Sequence, residues 1–303
     1  MKDIITVAVA NFRVDAANKE SNLSRVCGFA EAAAKRGANL ILFPEMCLYG
    51  YDYYVDETIP QEEKIKTAET INGPSCQAIA EITKKYGIYV VFGMAEKMEE
   101  TPDATLYNSA VAIGPDGVIG AYQKMHPFET ESIWCVKGEK PFMFDTPWGP
   151  ISVGICFDTY QFPELQRYYC GQGSRLYLNP TAVIEEIPKE GSRQAFIDYY
   201  APTLEYGVLC NTIFVASSNL CGTDIVDYFG GGSFRGGRAN QLSDEDARLY
   251  LYDDLGVSQR WANKWMSQTM HIMNTSAKGG ILAERGFFEN YADAEATWAR
   301  QDA

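Results

Sequence analysis

A mixed α/β fold is the class this 303-residue sequence predicts, on three observations. Strand-like and helical patterns alternate from the N-terminus onward. Among the strands are short unbroken apolar runs such as Asn39-Leu40-Ile41-Leu42-Phe43, the kind buried on both faces of a sheet. The middle of the chain carries tight hairpin signals, which bring antiparallel pairs into the same architecture. The length suits one large domain or two small ones. No linker, repeat or low-complexity run appears before about residue 229, so a single domain over 1–303 is expected.

The elements follow in order. Residues 4–12 read as a first strand; the run is short, follows Asp3 and lacks a cleavage site, so it is not a signal peptide. A helix then places Leu23, Val26, Phe29, Ala30, Ala33 and Ala34 on one face and closes at Gly37. Residues 39–43 form the second strand. Ser75 opens a helix through Ile79, Ile82 and Tyr86 that stops at Gly87, and residues 89–93 return as strand. Residues 110–113 and 118–122 flank the turn Gly114-Pro115-Asp116-Gly117, and residues 142–144 and 151–155 flank Thr146-Pro147-Trp148-Gly149-Pro150 in the same manner. A helix from about 163 to 169 and a strand at 176–178 come next. A helical stretch from about 192 to 209, which Pro202 should kink or interrupt, leads into a strand at 213–217. Beyond residue 229, the glycine-rich segment through Arg238 fits neither phosphate-binding glycine pattern and reads as a solvated or site-flanking loop. Ser243-Asp244-Glu245-Asp246 matches a capping box loosely and predicts a helix through Tyr252.

Composition narrows the function. Lys and Arg number 26 against 40 Asp and Glu, a net charge of -14, which repels phosphate backbones and argues against nucleic acid as a partner. No apolar run approaches the roughly 18 residues of a membrane span, so no membrane is expected and the location expected is cytoplasmic. The eight cysteines are scattered without a C-x-x-C pair, and His126 and His271 are the two histidines. Zinc sites of the H-E-x-x-H or finger type cannot be assembled, and no G-x-S-x-G elbow exists. Hydrolytic chemistry in this chain needs a base other than histidine.

Three reactive side chains stand immediately after buried apolar strands, where rigid backbone aims them into a shared crevice. Glu45 follows Leu42-Phe43-Pro44, and Pro44 ends the strand because it cannot continue a ladder. Lys124 follows Gly120-Ala121-Tyr122-Gln123. Cys156 follows the strand that ends in Gly154-Ile155. Taken singly, these are a solvated carboxylate, a solvent-facing lysine and a buried structural thiol.

Taken together and in this order, they resemble the nitrilase (carbon–nitrogen hydrolase) superfamily. The match runs through Phe43-Pro44-Glu45, the Gly120-x-Tyr122-x-Lys124 stretch with the adjoining His126, and Gly154-Ile155-Cys156-Phe157-Asp158. It continues through Phe162-Pro163-Glu164 and Arg167, Asn179-Pro180-Thr181, Ser217-Ser218-Asn219 and Gly231-Gly232-Ser233, with a weaker match at 274–284. The resemblance implies a four-layer α-β-β-α sandwich that hydrolyses a non-peptide C–N bond, with no cofactor and no metal. A thiol with a pKa of about 8.5 is mostly protonated at neutral pH, so Cys156 as nucleophile needs a base. Glu45 takes that role, and Lys124, assisted by the Phe157 backbone N–H, faces the oxyanion of the tetrahedral species. The family's second glutamate is placed at Glu131, seven residues after Lys124.

Cys-Phe-Asp resembles the amidase and carbamoylase branches, so the expected substrate is a small amide or N-carbamoyl compound and the expected assembly a homodimer or higher homo-oligomer. The alternatives are a nitrilase, a glutaminase subunit, or a catalytically idle binding or scaffold member. Two departures mark this chain: one more residue than usual separates Cys156 from Phe162, and an insertion is placed at about 235–268. Tyr49, Tyr51, Tyr160 and Asn179 are the expected substrate-binding residues. The insertion, with Tyr250, Tyr252, Trp261 and Trp265, is expected to fold over the site's mouth.

Overall fold

The computed structural model describes residues 2, 5–185, 192–211, 213–231, 234–236 and 249–253. The elements run β1 (Val7–Asn11), α1 (Lys19–Lys35), β2 (Leu40–Leu42), α2 (Asp52–Val55), α3 (Gln61–Thr67), α4 (Pro74–Tyr86), β3 (Tyr89–Lys97), β4 (Leu106–Gly114) and β5 (Gly117–Gln123). After a 3-10 turn at Glu129–Ile133 come β6 (Phe142–Phe144), β7 (Ile151–Val153), α5 (Phe157–Gln161), α6 (Pro163–Gly171), β8 (Leu176–Thr181), β9 (Ile184–Glu185) and α7 (Ser192–Asn211). The described part closes with β10 (Phe214–Asn219), β11 (Cys221–Thr223), β12 (Tyr228–Gly230), β13 (Phe234–Gly236) and β14 (Leu249–Asp253).

Two larger sheets and a small one result. The first has the order β14-β1-β2-β3-β4-β5, parallel from β14 through β3 and antiparallel beyond. The second has the order β13-β10-β8-β7-β6, with parallel pairs at its centre and an antiparallel strand at each edge. A three-stranded sheet, β11-β12-β9, stands beside them.

Alternation along β1 separates two cores. Ala8 and Ala10 point into an apolar cluster with Val26, Ala30 and Ala33 of α1 and Ile79 of α4. Val7 and Val9 point into a second cluster with Leu40, Leu42, Val91 and Ala112, shared with Val153, Leu178 and Val215 of the second sheet and with Leu165, Leu204 and Val208 of α6 and α7. One face of the first sheet is thus covered by helices and the other by the second sheet, the four-layer sandwich the resemblance implies. The helix α1 forms where the sequence places an Asn18 cap, whose side chain accepts the Ser21 N–H at 3.2 Å, ahead of buried positions spaced 3 and 4 apart.

Two expectations need correction. The helix α7 is not interrupted at Pro202, and its second half is anchored by the burial of Leu204 and Val208. Residues 249–253 are strand, not the end of a helix. Leu249-Tyr250-Leu251-Tyr252 has the two-residue alternation and aromatic content of a strand, and it pairs in parallel along the edge of β1. Most of the expected insertion, with Trp261, Trp265 and the matches near His271 and at 274–284, lies outside the described residues. So do Gly232 and Ser233. Among the described residues no helix is long and apolar enough to cross a membrane.

Candidate active site

Glu45 owes its position to a strand end and to a glycine on the neighbouring strand. The strand β2 is buried on both faces, and at Pro44 the chain leaves the ladder. Met46 then takes a positive φ of 54° and turns the chain back over β3. That turn lies directly on Gly93, where a Cβ would stand 2.5 Å from the Met46 nitrogen and 2.6 Å from the Glu45 Cα. Gly93→Ala is therefore expected to push the Glu45 turn outward. A displacement near 1 Å costs about 100-fold in rate, so kcat should fall on that scale while the circular dichroism spectrum stays native.

Lys124 follows β5 and is pinned through its own backbone, its N–H donating to the Asn108 carbonyl at 2.8 Å. The ammonium donates to Glu45 Oε1 at 2.8 Å and to Glu131 Oε1 at 2.7 Å, and the side chains of all three residues are fully excluded from solvent. Asn108 of β4 donates to Glu45 Oε1 at 2.7 Å, Tyr51 Oη donates to Glu131 Oε1 at 2.7 Å, and the Phe128 N–H donates to Glu131 Oε2 at 3.0 Å. Glu45 Oε2, in contrast, is buried with no hydrogen-bond partner. Burial acts against the lysine's charge, but the Glu45 and Glu131 carboxylates beside it hold its pKa well above the usual range. Burial likewise pushes Glu45 up; Lys124 pulls it down and Glu131 pushes it up again.

Cys156 sits in the sharp turn between β7 and α5. Its φ of 45° and ψ of -108° are unusual for a residue with a Cβ, a strain of about 1–3 kcal/mol that the surroundings must offset. They do so through the Cys156 N–H bonded to the Pro180 carbonyl at 2.9 Å and the Thr159 N–H bonded back to the Cys156 carbonyl at 2.9 Å. Burial and the Glu45 charge push the thiol pKa up, while Lys124, the Thr181 hydroxyl and the Ala182 N–H pull it down. The thiol therefore rests protonated within the field of Glu45 and Lys124. The Phe157 N–H, first in α5, has no protein acceptor among the described residues. Of the four non-glycine residues with positive φ there, Met46, Glu129 and Cys156 all flank this cluster.

The structure thus brings Glu45, Lys124, Glu131 and Cys156 together, with the Phe157 N–H beside the thiol. Tyr51 and Tyr160 also reach it. Tyr160 Oη donates to Asn179 Oδ1 at 3.1 Å, and burial beside Cys156 raises the pKa of its phenol. Asn179 is fully buried, its amide donating to the Gly154 carbonyl at 3.0 Å and the Thr159 hydroxyl at 2.7 Å, so it braces the nucleophile turn. Tyr49 is placed differently: its ring packs edge-on against Tyr53 at 4.8 Å and Tyr54 at 5.9 Å, beside the α1 and α4 core.

Sequence reading left two groups without a role. Asn108 stands beside Ser109 near the start of β4, and its burial, visible only in the structure, signals a partner. Asp158 accepts the Ile155 N–H at 3.1 Å, Tyr122 Oη at 2.9 Å, and the His126 N–H and Nδ1 at 2.9 and 2.7 Å, tying the nucleophile turn to the end of β5. The His126 ring stacks on Phe162 with centroids 3.5 Å apart, which packs the end of α5 against the segment after β5. Among the described residues no group of three or more His, Cys, Asp or Glu is placed to hold a metal ion. A cavity of about 280 Å³ between β6 and α6, lined by Met143, Tyr168 and Gln172, shares no residue with the cluster.

A buried Glu–Lys–Glu network facing a strained thiol on a four-layer sandwich defines a class, and comparison with known proteins agrees with it. The chain belongs to the carbon–nitrogen hydrolase family of the nitrilase superfamily: the family model described as carbon-nitrogen hydrolase matches residues 6–236. It is 32% identical over 183 residues to the nitrilase of Pyrococcus abyssi, covering 60% of this chain and 66% of that protein. It is 33% identical over 177 residues to the omega-amidase NIT2 of Bos taurus, covering 54% and 59%. The chain therefore spans less than two thirds of the length of either relative. Among solved structures, an amidase from Nesterenkonia sp. superposes with a TM-score of 0.62 at 22% identity, over 78% of this chain and 84% of that one. At that identity the likeness speaks to the fold.

Proposed function

We propose that the protein hydrolyses the C–N bond of a small amide or N-carbamoyl compound through a thioester on Cys156. The observation that carries this reading is the solvent-excluded ammonium of Lys124 held between two carboxylates, with Glu45 Oε2 left unpaired, next to the thiol. Glu45 accepts the thiol proton as sulfur attacks the carbonyl carbon. Lys124 and the Phe157 N–H stabilise the charge on the carbonyl oxygen. The tetrahedral species collapses with the C–N bond breaking, and Glu45 gives its proton to the departing ammonia or amine. Water, deprotonated by Glu45, then attacks the thioester carbonyl; the acid leaves and the thiol is restored. Glu131 keeps Lys124 charged and aimed, and Tyr160 forms part of the acyl pocket. Solved neighbours of this fold hold acrylamide and butyramide, which supports a small amide.

A panel of amides, N-carbamoyl amino acids and nitriles, assayed for ammonia release, tests the reading. The nitrile arm is included because the Pyrococcus abyssi relative is a nitrilase. Turnover of nitriles but not of the matching amides would overturn the amide assignment. Because burial raises the Glu45 pKa, its base form is lost at a higher pH than for an ordinary carboxylate. The acid limb of kcat/KM is expected above pH 4.5, the ordinary glutamate value, and should vanish with the residual rate of Glu45→Gln. All eight cysteines are free thiols, which supports the cytoplasm as the compartment. The assembly we propose is a homo-oligomer. Tyr206 and Leu209, exposed on α7, support it, and sedimentation velocity checks it.

A further inference from the structure

Glu131 is held from a direction the reaction does not use. Tyr51 donates to it at 2.7 Å, and the Tyr51 ring rests edge-on against Phe229 of β12 with centroids 6.2 Å apart. The backbone that carries Tyr51 is fastened to the loop between β11 and β12. Asp224 Oδ2 accepts the N–H groups of Tyr51 and Asp52 at 2.6 and 2.9 Å. Asp52 Oδ2 in return accepts the N–H groups of Ile225, Val226 and Asp227 at 2.9, 2.6 and 2.8 Å. Each loop supplies the carboxylate that the other's backbone donors require. The fit is close: Gly50 has φ +106°, and a Cβ there would stand 2.7 Å from Asp224 Oδ1.

This arrangement is costly. Asp52 Oδ1 and Asp224 Oδ1 are buried without hydrogen-bond partners, and none of the ion pairs among the described residues involves Asp52, Asp224 or Asp227. Burial and the Asp52 charge push the carboxyls of Asp224 and Asp227 up to about 6. What offsets the burial is a set of five backbone donors, two N–H groups on Asp224 Oδ2 and three on Asp52 Oδ2.

We propose that Asp224 and Asp52 are positioning residues for the reaction: their reciprocal clasp fixes the turn before α2 so that Tyr51 holds Glu131 against Lys124. The inference rests on the hydrolase reading above. Without the clasp, Tyr51 is free to leave Glu131, and the ammonium is no longer held at the distance that serves the oxyanion.

The test is a double-mutant cycle on kcat with the best amide from the panel, using the full chain. Tyr51→Phe removes a hydrogen bond to a charged group and should lower kcat about 10- to 100-fold with KM little changed. Asp224→Ala should match it, and the combination should be no worse than the poorer single variant by more than about 3-fold, since both remove one coupling. Asp224→Asn, whose amide oxygen can still accept both N–H groups, should recover most of the lost kcat. If Asp224→Ala does not fold, Asp224→Glu, which keeps the charge and moves the carboxylate, replaces it in the cycle. Effects that multiply, an Asn variant as impaired as Ala, or wild-type kcat in the Asp224 variants would each overturn the proposal. Cys156→Ala, run alongside, separates the two readings: turnover by that variant removes the hydrolase mechanism itself, whatever the cycle shows.

Discussion

Cys156→Ala is expected to abolish turnover, by a factor on the order of a million where a nucleophile acts as one unit with its base. The fold should persist, because the side chain is lost while the backbone bonds from Cys156 to Pro180 and Thr159 remain. The controls are the other cysteines. Cys47 is buried, its thiol pushed up to about 12 and donating to the Gly93 carbonyl at 3.5 Å. Cys170 donates to the Asn211 carbonyl at 3.0 Å. Neither stands in the field of Lys124, so Cys47→Ala and Cys170→Ala should retain activity. A substrate-derived acyl adduct, trapped by acid quench and located by mass spectrometry, should map to Cys156. An adduct on any other cysteine would refute the assignment.

Lys124→Ala should damage both rate and stability. The rate loss expected for one oxyanion donor is about 100- to 1,000-fold in kcat. The stability loss is larger than for an ordinary lysine, about 3–5 kcal/mol, because two carboxylates remain buried without their cation. Burial then leaves the Glu45 carboxyl, without its cation, holding a proton in the folded state that the unfolded chain has released, so stability should fall as pH rises through the neutral range. Urea unfolding of the variant and the parent at pH 5 and pH 8 measures this. The gap between them should widen at pH 8, and a constant gap would mean that Lys124 is not the counter-ion of the pair.

The central parallel strands and the three strand-end residues were legible because they are local in sequence: an apolar run, a breaker, then a reactive group. Glu45, Lys124 and Cys156 each carry that signature. Glu131 was reached through family resemblance, since a carboxylate in a 3-10 turn has no periodicity of its own. Tyr51 read as a substrate wall because an aromatic residue near a catalytic carboxylate suits that role equally well. Its bond to Glu131 depends on a loop 173 residues away, which no window along the chain contains. The strand β14 was misread for a related reason: a loose capping signal favoured helix, while the open edge of β1 that draws Leu249–Asp253 into the sheet exists only after folding. Asp158 was visible only as a branch marker, and its four bonds follow from the meeting of β5 with the nucleophile turn.

The division of the sandwich bears on how the chain folds as it is made. The strands β1 through β5 all lie within the first 123 residues, and the second sheet is drawn from residues 142–236. At roughly 5–20 residues per second, these five strands emerge seconds before the second sheet is complete, and β14 joins their edge only after it. During that interval Val7, Val9, Leu40, Leu42, Val91 and Ala112 form an apolar face with nothing to cover it, and Glu45 and Lys124 wait beside it for the segment bearing the thiol. The nascent half-sandwich is thus the aggregation-prone species in this protein's biogenesis, and ribosome-associated chaperones should engage it most strongly before β7 and β8 have left the exit tunnel.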